Sequence, residues 1–257
     1  MHSESLSLDA GHWTLTWASR CFWIPALTIV LVASGQSEEA GWLDRLGSPD
    51  YEQRQEATRE ILAAEQLDVA GLGELYRQAS LEEQRQRLLR IGQHHFLRQL
   101  AESIDRGPIA VAAIGVLTRP VVPLRGQRNR TAVRVAQTFP GFPAYTALQA
   151  ADLIVAIDDQ PLPDGLVGEQ ITKHFAALIQ KHAPGQHVTL TVLREGRTMK
   201  LSIKMSSLSA LTVMYPPAEP LTLNPAYQRQ WTSLQSRWMR ANPPSTPLAV
   251  NMAERIP

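Results

Sequence analysis

The sequence predicts an α+β protein whose helices and strands are segregated along the chain, and three observations carry that expectation. Residues 42–105 repeat apolar side chains at helical spacing in a background of Glu, Gln and Arg. Residues 107–205 carry short period-two apolar runs separated by turn signals, with one amphipathic helix among them. Residues 206–257 open with Pro216, Pro217 and Pro220, then place aromatic residues on one helical stripe. The expected organisation is an N-terminal apolar segment (1–35), a small helical unit (42–105), a β-rich domain (107–205) and a proline-rich tail (206–257) with a helix at about 224–241.

Charge and cysteine content set outer limits. The 257 residues hold 25 Lys+Arg against 24 Asp+Glu, a formal charge of +1. No global field steers the chain toward nucleic acid, and none is expected as a partner. Cys21 stands alone, so there is no disulfide framework and no CxxC metal site.

Cys21 adjoins FWIPALTIVLVASG, residues 22–35. That run is short for a membrane span, which needs about 20 apolar residues. It has the length of a signal-peptide core, with Arg20 before it and Ala33, Ser34 and Gly35 after it. A cleaved signal, an uncleaved membrane anchor and a buried helix stay open, with export to the periplasm or cell envelope as the expectation.

In the helical unit, Ser48-Pro49-Asp50 reads as a helix start with Ser48 as cap. Tyr51, Ala57, Thr58, Ile61 and Leu62 then form one partly apolar face. Leu72, Leu75, Tyr76 and Ala79 form a second. Ser80 and Glu83 have the spacing of a capping box, followed by Leu81, Leu88, Leu89, Phe96, Leu97 and Leu100. LGSPDYEQRQEATREILAAE and SLEEQRQRLLRI together resemble the helical hairpins of HEAT-type repeats over about 50 residues. Adjacent residues on a helix point about 100° apart, so His94-His95 is read as one inward and one outward histidine. Neither these nor His174, His182 and His187 have a metal-ligand spacing, and no cofactor is expected.

In the β-rich segment, AAIGVLTRPVV and TAVRVAQTF read as strands. ADLIVAID is apolar on both faces, as a central strand is. GEQITKHFAALIQKHA puts Ile171, Phe175, Leu178 and Ile179 on one helical face. HVTLTVLREGRTMKLSIKM reads as a hairpin turning at Glu195-Gly196. The same segment holds Asp152, Asp158, Asp159 and Asp164. No nucleophile, base or metal ligand accompanies them, so they are read as turn residues. No catalytic residue is assigned.

In order, these pieces resemble a bacterial PDZ domain of the kind found in HtrA-type and C-terminal-processing proteases. The resemblance covers about 95 residues. It rests on Ile114-Gly115-Val116, on Pro140-Gly141-Phe142-Pro143-Ala144, on residues 148–158 ending in Ile157-Asp158, and on Pro184-Gly185, Arg194-Glu195-Gly196 and Leu201-Ser202-Ile203. It implies a partly open β-barrel or sandwich capped by a helix, binding an extended peptide as an added strand. Carried over residue by residue, Ala113, Ile114, Gly115 and Val116 would form the carboxylate loop and strand edge. Ile171, Phe175 and Leu178 would line the side-chain pocket, with ordinary core as the alternative reading of the same three. A β-branched side chain at Gly115 would resist the backbone angles needed there and crowd the ligand. The family's glycine between the residues at Ala147 and Leu148 is missing here, and its glycine before the central strand is Ala151, so that turn is expected to be built differently, with one residue fewer. There is no GxSxG and no protease motif.

Arg119, Arg125, Arg128, Arg130 and Arg134 lie in and beside a loop, read either as a patch for acidic peptides, headgroups or cell-wall polymers or as a solvated turn. Tyr227, Trp231, Leu234 and Trp238 form one helical stripe that must dock on the β domain, on the helical unit, or on a membrane or partner. Three functions follow as alternatives. The first is a non-enzymatic envelope adaptor binding exported proteins or their C-terminal peptides. The second is an accessory subunit of an envelope protease. The third is an architectural protein whose groove is filled by its own C-terminal helix. Membrane association would run through residues 22–35.

Overall fold

The computed structural model describes residues 41–104, 111–121, 131–166, 168–218 and 220–241. The expected signal or anchor, the end of the tail, and Arg125, Arg128 and Arg130 lie outside the described residues. Among those described, no helix is long and apolar enough to cross a membrane.

A helical stretch at 41–46 leads into α1 (Tyr51–Ala63), α2 (Val69–Gln78) and α3 (Glu82–Ile104). The cap of α1 is Asp50, not Ser48: its carboxylate accepts from the Glu52 N–H at 2.8 Å. Ser48 sits one step outside, accepting from Asp50 N and donating to Gln53 Oε1. The carboxylate is the stronger acceptor and also meets the positive helix end. At the start of α3 the capping box expected from Glu83 is made by Gln84. Its Oε1 accepts from Ser80 N and Leu81 N, and its Nε2 donates to Leu43 O. That last bond ties the 41–46 stretch to α3, so tertiary contact selects Gln84 over its neighbour. Tyr51 and Leu81, expected on apolar faces, are exposed at the first turns, beyond the reach of the core.

α3 is the spine of the molecule. Twenty-three residues at about 1.5 Å each give it a length of roughly 35 Å. Along one side it packs on α1 and α2; along another it meets the β domain. Both His94 and His95 are therefore buried, against the expectation of one outward ring.

The β domain begins with β1 (Ala112–Ala113), breaks at Ile114-Gly115, and resumes as β2 (Val116–Pro120). β3 (Val133–Thr138), a short helix α4 (Ala144–Ala147), β4 (Leu153–Ile157), β5 (Gln160–Pro161), α5 (Glu169–Ile179), β6 (His187–Arg194) and β7 (Arg197–Lys204) follow. The sheet order is β2-β3-β4-β6-β7, with β5 on β4, all antiparallel. The sheet stays open, with β2 and β7 at its edges. β4 is central, as its two-faced apolar sequence requires. Val133, Val135, Ile154, Val188, Leu190 and Val192 point into one core, which α5 closes with Ile171, Phe175 and Ile179.

Two tight hairpin turns use consecutive left-handed residues: Asp158-Asp159 (φ 46° and 63°) and Glu195-Gly196 (φ 50° and 80°). Their twist matches the strands they join. Before β4, Ala151 occupies φ 75°. At this position alanine takes the left-handed conformation itself, whereas at the other missing glycine Leu148 follows Ala147 in extended backbone. Three contacts hold Ala151 in place. Ala151 N donates to Val135 O, Gln149 N donates to Asp152 Oδ2, and Arg194 bonds Asp152 in bidentate fashion at 2.8 and 2.7 Å.

After β7 the chain pairs β8 (Ser206–Ser207) with β1, then forms α6 (Leu208–Met214) and α7 (Pro225–Ala241). Trp231 and Trp238 of α7 enter the helical core beside Tyr76 and Phe96. The Trp238 ring sits against Gly92, where an added Cβ would lie 2.5 Å from its nearest atom. Each indole removes on the order of 200 Å² of largely apolar surface from water, about 5 kcal/mol by area before ordering costs. Of the three docking places open to this helix, the helical unit is the one occupied.

Candidate functional site

The edge strand β2 and the break before it form the candidate site. Gly115 has φ 73°, a left-handed value that L-residues resist. Its carbonyl accepts from Phe139 N at 3.0 Å, and the Ile114 carbonyl accepts from Ala144 N at 2.9 Å. A trans peptide holds its N–H opposite its C=O. With these carbonyls bonded to Ala144 and Phe139, the N–H groups of Gly115 and Val116 are directed away from those two partners. Successive N–H groups of this kind form a concave site for an anion. They stand at the head of β2, whose far edge has no strand partner among the described residues.

Support for this loop comes from behind. Phe142, fully buried, lies directly under Gly115: a Cβ there would fall 2.0 Å from Phe142 Cβ. A side chain at Gly115 would thus collide with the core. Phe142 stacks in a third apolar cluster with Phe139, Tyr215, Met214 and Leu97. The Tyr215 hydroxyl donates to Pro140 O at 3.0 Å, and burial raises its pKa.

Gly141 (φ 90°) rests on α3, where its N–H donates to His94 Nδ1 at 3.0 Å. His94 is stacked on Tyr145 with ring centroids 5.1 Å apart. Burial, then the neighbouring His95 and Arg98, push its pKa down to about 3, so the ring stays neutral and Nδ1 stays an acceptor. His95 is held the same way. Its Nε2 faces Ile61 O at 3.0 Å, Arg98 donates to its Nδ1, and burial lowers its pKa.

The seven residues named from the sequence divide as follows. Ile114, Gly115 and Val116 form the break and the head of the edge strand. Ala113 is paired with Ser206 in the small β1–β8 sheet. Ile171 and Phe175 are buried in the domain core, and Leu178 is partly buried beside it, with Val116. His94, Gly141, Phe142 and Tyr215, which brace the loop, were not assigned to the site from the sequence. The Pro140-Gly141 pair was the available signal for one of them.

Three of the four aspartates are held in structural contacts. Asp152 is buried and held by Arg194. Asp158 accepts from Thr189 N and faces His182 Nε2 at 3.0 Å. Asp159 pairs with Lys200. Among the described residues no cluster of His, Cys, Asp and Glu is arranged to hold a metal ion. A cleft of about 430 Å³ opens where α1 and α3 meet α4 and β7. Its Arg98 is already bonded to Glu65 O and His95, and its Lys204 lies 3.8 Å from the Glu65 carboxylate.

Residues 112–205 match the PDZ domain family model. That segment of the chain is a PDZ domain. Among solved structures the chain is similar to an HtrA-type protease, AlgW, with a decapeptide: identity is 23%, with 43% of this chain and 34% of that one covered, at a TM-score of 0.32. It is also similar to the PDZ domain of a carboxy-terminal protease from Vibrio cholerae in complex with peptide: identity is 19%, with 38% of this chain and 95% of that one covered, at a TM-score of 0.27. The chain spans about a third of the length of the HtrA-type protease. No curated protein matches it.

Proposed function

We propose that this protein is a non-enzymatic adaptor that binds the C-terminal segment of another protein as an added strand along β2. The observation that carries the reading is the pair of N–H groups at Gly115 and Val116, directed away from Ala144 and Phe139 at the head of an open strand edge. A terminal carboxylate on those two amides would place the preceding peptide antiparallel to β2, in reach of Val116 and Leu178. Main-chain pairing supplies affinity in such complexes, and side-chain pockets supply specificity. The reading of a groove filled by the chain's own C-terminal helix is disfavoured, because Trp231 and Trp238 are committed to the helical core. The apolar run at 22–35 supports a place in the cell envelope, where the partners would be exported proteins.

Fluorescence-polarisation titration of the full chain with a library of labelled C-terminal hexapeptides tests this. Binders are expected, and amidating their C-termini should weaken them about tenfold or more, a loss of about 1.4 kcal/mol. If no peptide binds, either to the full chain or after removal of residues 242–257, the adaptor reading is wrong. Truncation must stop there, since α7 belongs to the helical core.

A further inference from the structure

The edge that would take the peptide is basic to an unusual degree. Arg119 on β2 lies directly opposite Arg134 on β3, and both side chains are exposed. Like charges facing each other across an antiparallel pair are destabilising. Among the described residues neither arginine is in an ion pair. The local sequence offers no counter-charge either. Between Asp105 and Asp152 there is no Asp or Glu, while Arg106, Arg119, Arg125, Arg128, Arg130 and Arg134 all fall in that interval. Two guanidiniums left facing each other on a strand edge form a surface that a carboxylate from outside would relieve.

Register says which carboxylate. The irregularity in the β2–β3 ladder puts the additional residue on β3, because Leu117 faces Gln137 whereas Thr118 faces Val135. β2 itself runs evenly from Val116 to Pro120. A peptide whose terminal carboxylate rests on the Gly115 and Val116 amides pairs its last residue with Val116. Its fourth residue from the end then lies opposite Arg119. Residues directly opposite share a face of the sheet, with Cβ atoms about 5 Å apart. Thr118 pairs with the buried Val135, so Arg119, Arg134 and that fourth ligand residue all project to the solvent face.

We infer that Arg119 and Arg134 make the groove selective for peptides with a carboxylate side chain at the fourth position from the C-terminus. The inference rests on the adaptor reading above and specifies its ligand class. Two exposed ion pairs formed together should favour Glu over Gln at that position by about three- to tenfold at low salt. The preference should shrink as salt screens it.

The test uses the full chain and hexapeptides that share one apolar C-terminal residue and differ only in Glu, Gln or Lys at the fourth position. The expected order is Glu, then Gln, then Lys, with the Glu advantage falling between 50 mM and 500 mM NaCl. Arg119→Ala should abolish most of the Glu-to-Gln ratio while leaving the Gln peptide's affinity within about twofold. Arg134→Ala should reduce the ratio by less. Peptides that bind with no dependence on the fourth residue would overturn this inference and leave the groove reading intact. So would an Arg119→Ala variant that weakens the Glu and Gln peptides equally. Failure of every peptide to bind would remove the groove reading itself.

Discussion

Gly141→Ala is the sharpest probe of how the PDZ domain is mounted on the helical unit. Gly141 has φ 90°, and an added Cβ would lie 2.6 Å from Leu97 Cβ and 2.9 Å from the Leu97 carbonyl carbon. An L-residue in the left-handed region costs about 1–2 kcal/mol by itself. Separating the turn from α3 to relieve the contact breaks the Gly141 N–H bond to His94 Nδ1 and leaves a buried acceptor unpaired, about 1–3 kcal/mol more. The sum is about 2–5 kcal/mol, a large share of the 5–15 kcal/mol typical of a folded domain. Urea unfolding of the full chain measures it, with tryptophan fluorescence reporting on the helical core around Trp231 and Trp238. Leu97→Ala should not rescue the variant, because the obstructing atoms are the Leu97 Cβ and backbone, which alanine keeps. A Gly141→Ala protein within about 0.5 kcal/mol of the parent would refute this account of the junction.

Three further outcomes follow from the same reasoning. Ala151→Gly should stabilise the protein by about 0.5–1 kcal/mol in urea melts, since relief of the left-handed strain exceeds the entropy that glycine adds to the unfolded chain. The buried, neutral His94 and His95 have pKa values lowered in the fold, so the unfolded state binds more protons below the ordinary value of 6.5. Stability should therefore be intact above about pH 6.5 and fall below it; for His94 the fall continues toward pH 3 and approaches about 1.4 kcal/mol per pH unit, and His95 adds to it in the same direction. His94→Gln should remove one histidine's share of that slope between pH 6 and 5. Phe175→Ala should destabilise the domain by about 3–5 kcal/mol because its ring is core, whereas Leu178→Ala should weaken peptide binding with a smaller change in melting. The reverse pattern would place Phe175 in the groove.

Much of the β domain was readable from short-range pattern. The β6–β7 hairpin, the two-faced β4 and the stripe on α5 each declare themselves within a dozen residues, because side-chain period and turn chemistry are local properties. Gly115 between two apolar residues was legible for the same reason. What Gly115 touches was not: Phe142 is 27 positions away, and only packing brings it beneath the loop.

The two histidines show the other limit. An amphipathic reading assumes one buried face, but α3 is gripped from two sides, by α1 through Ile61 and by the β domain through Gly141, so adjacent rings are both enclosed. Likewise Ala151 cannot be seen as left-handed from its neighbours. It is held there by Val135 and by the Asp152–Arg194 pair, whose members are 42 residues apart. Periodicity along the chain determined which segments are helix or strand and which face is apolar. The tertiary structure alone decided how many faces are covered, which apolar residues are core and which lie half-buried beside the edge strand, and where strain is tolerated. Those outcomes are set by contacts between segments distant in sequence, whose combined energy outweighs the local preference at any one residue.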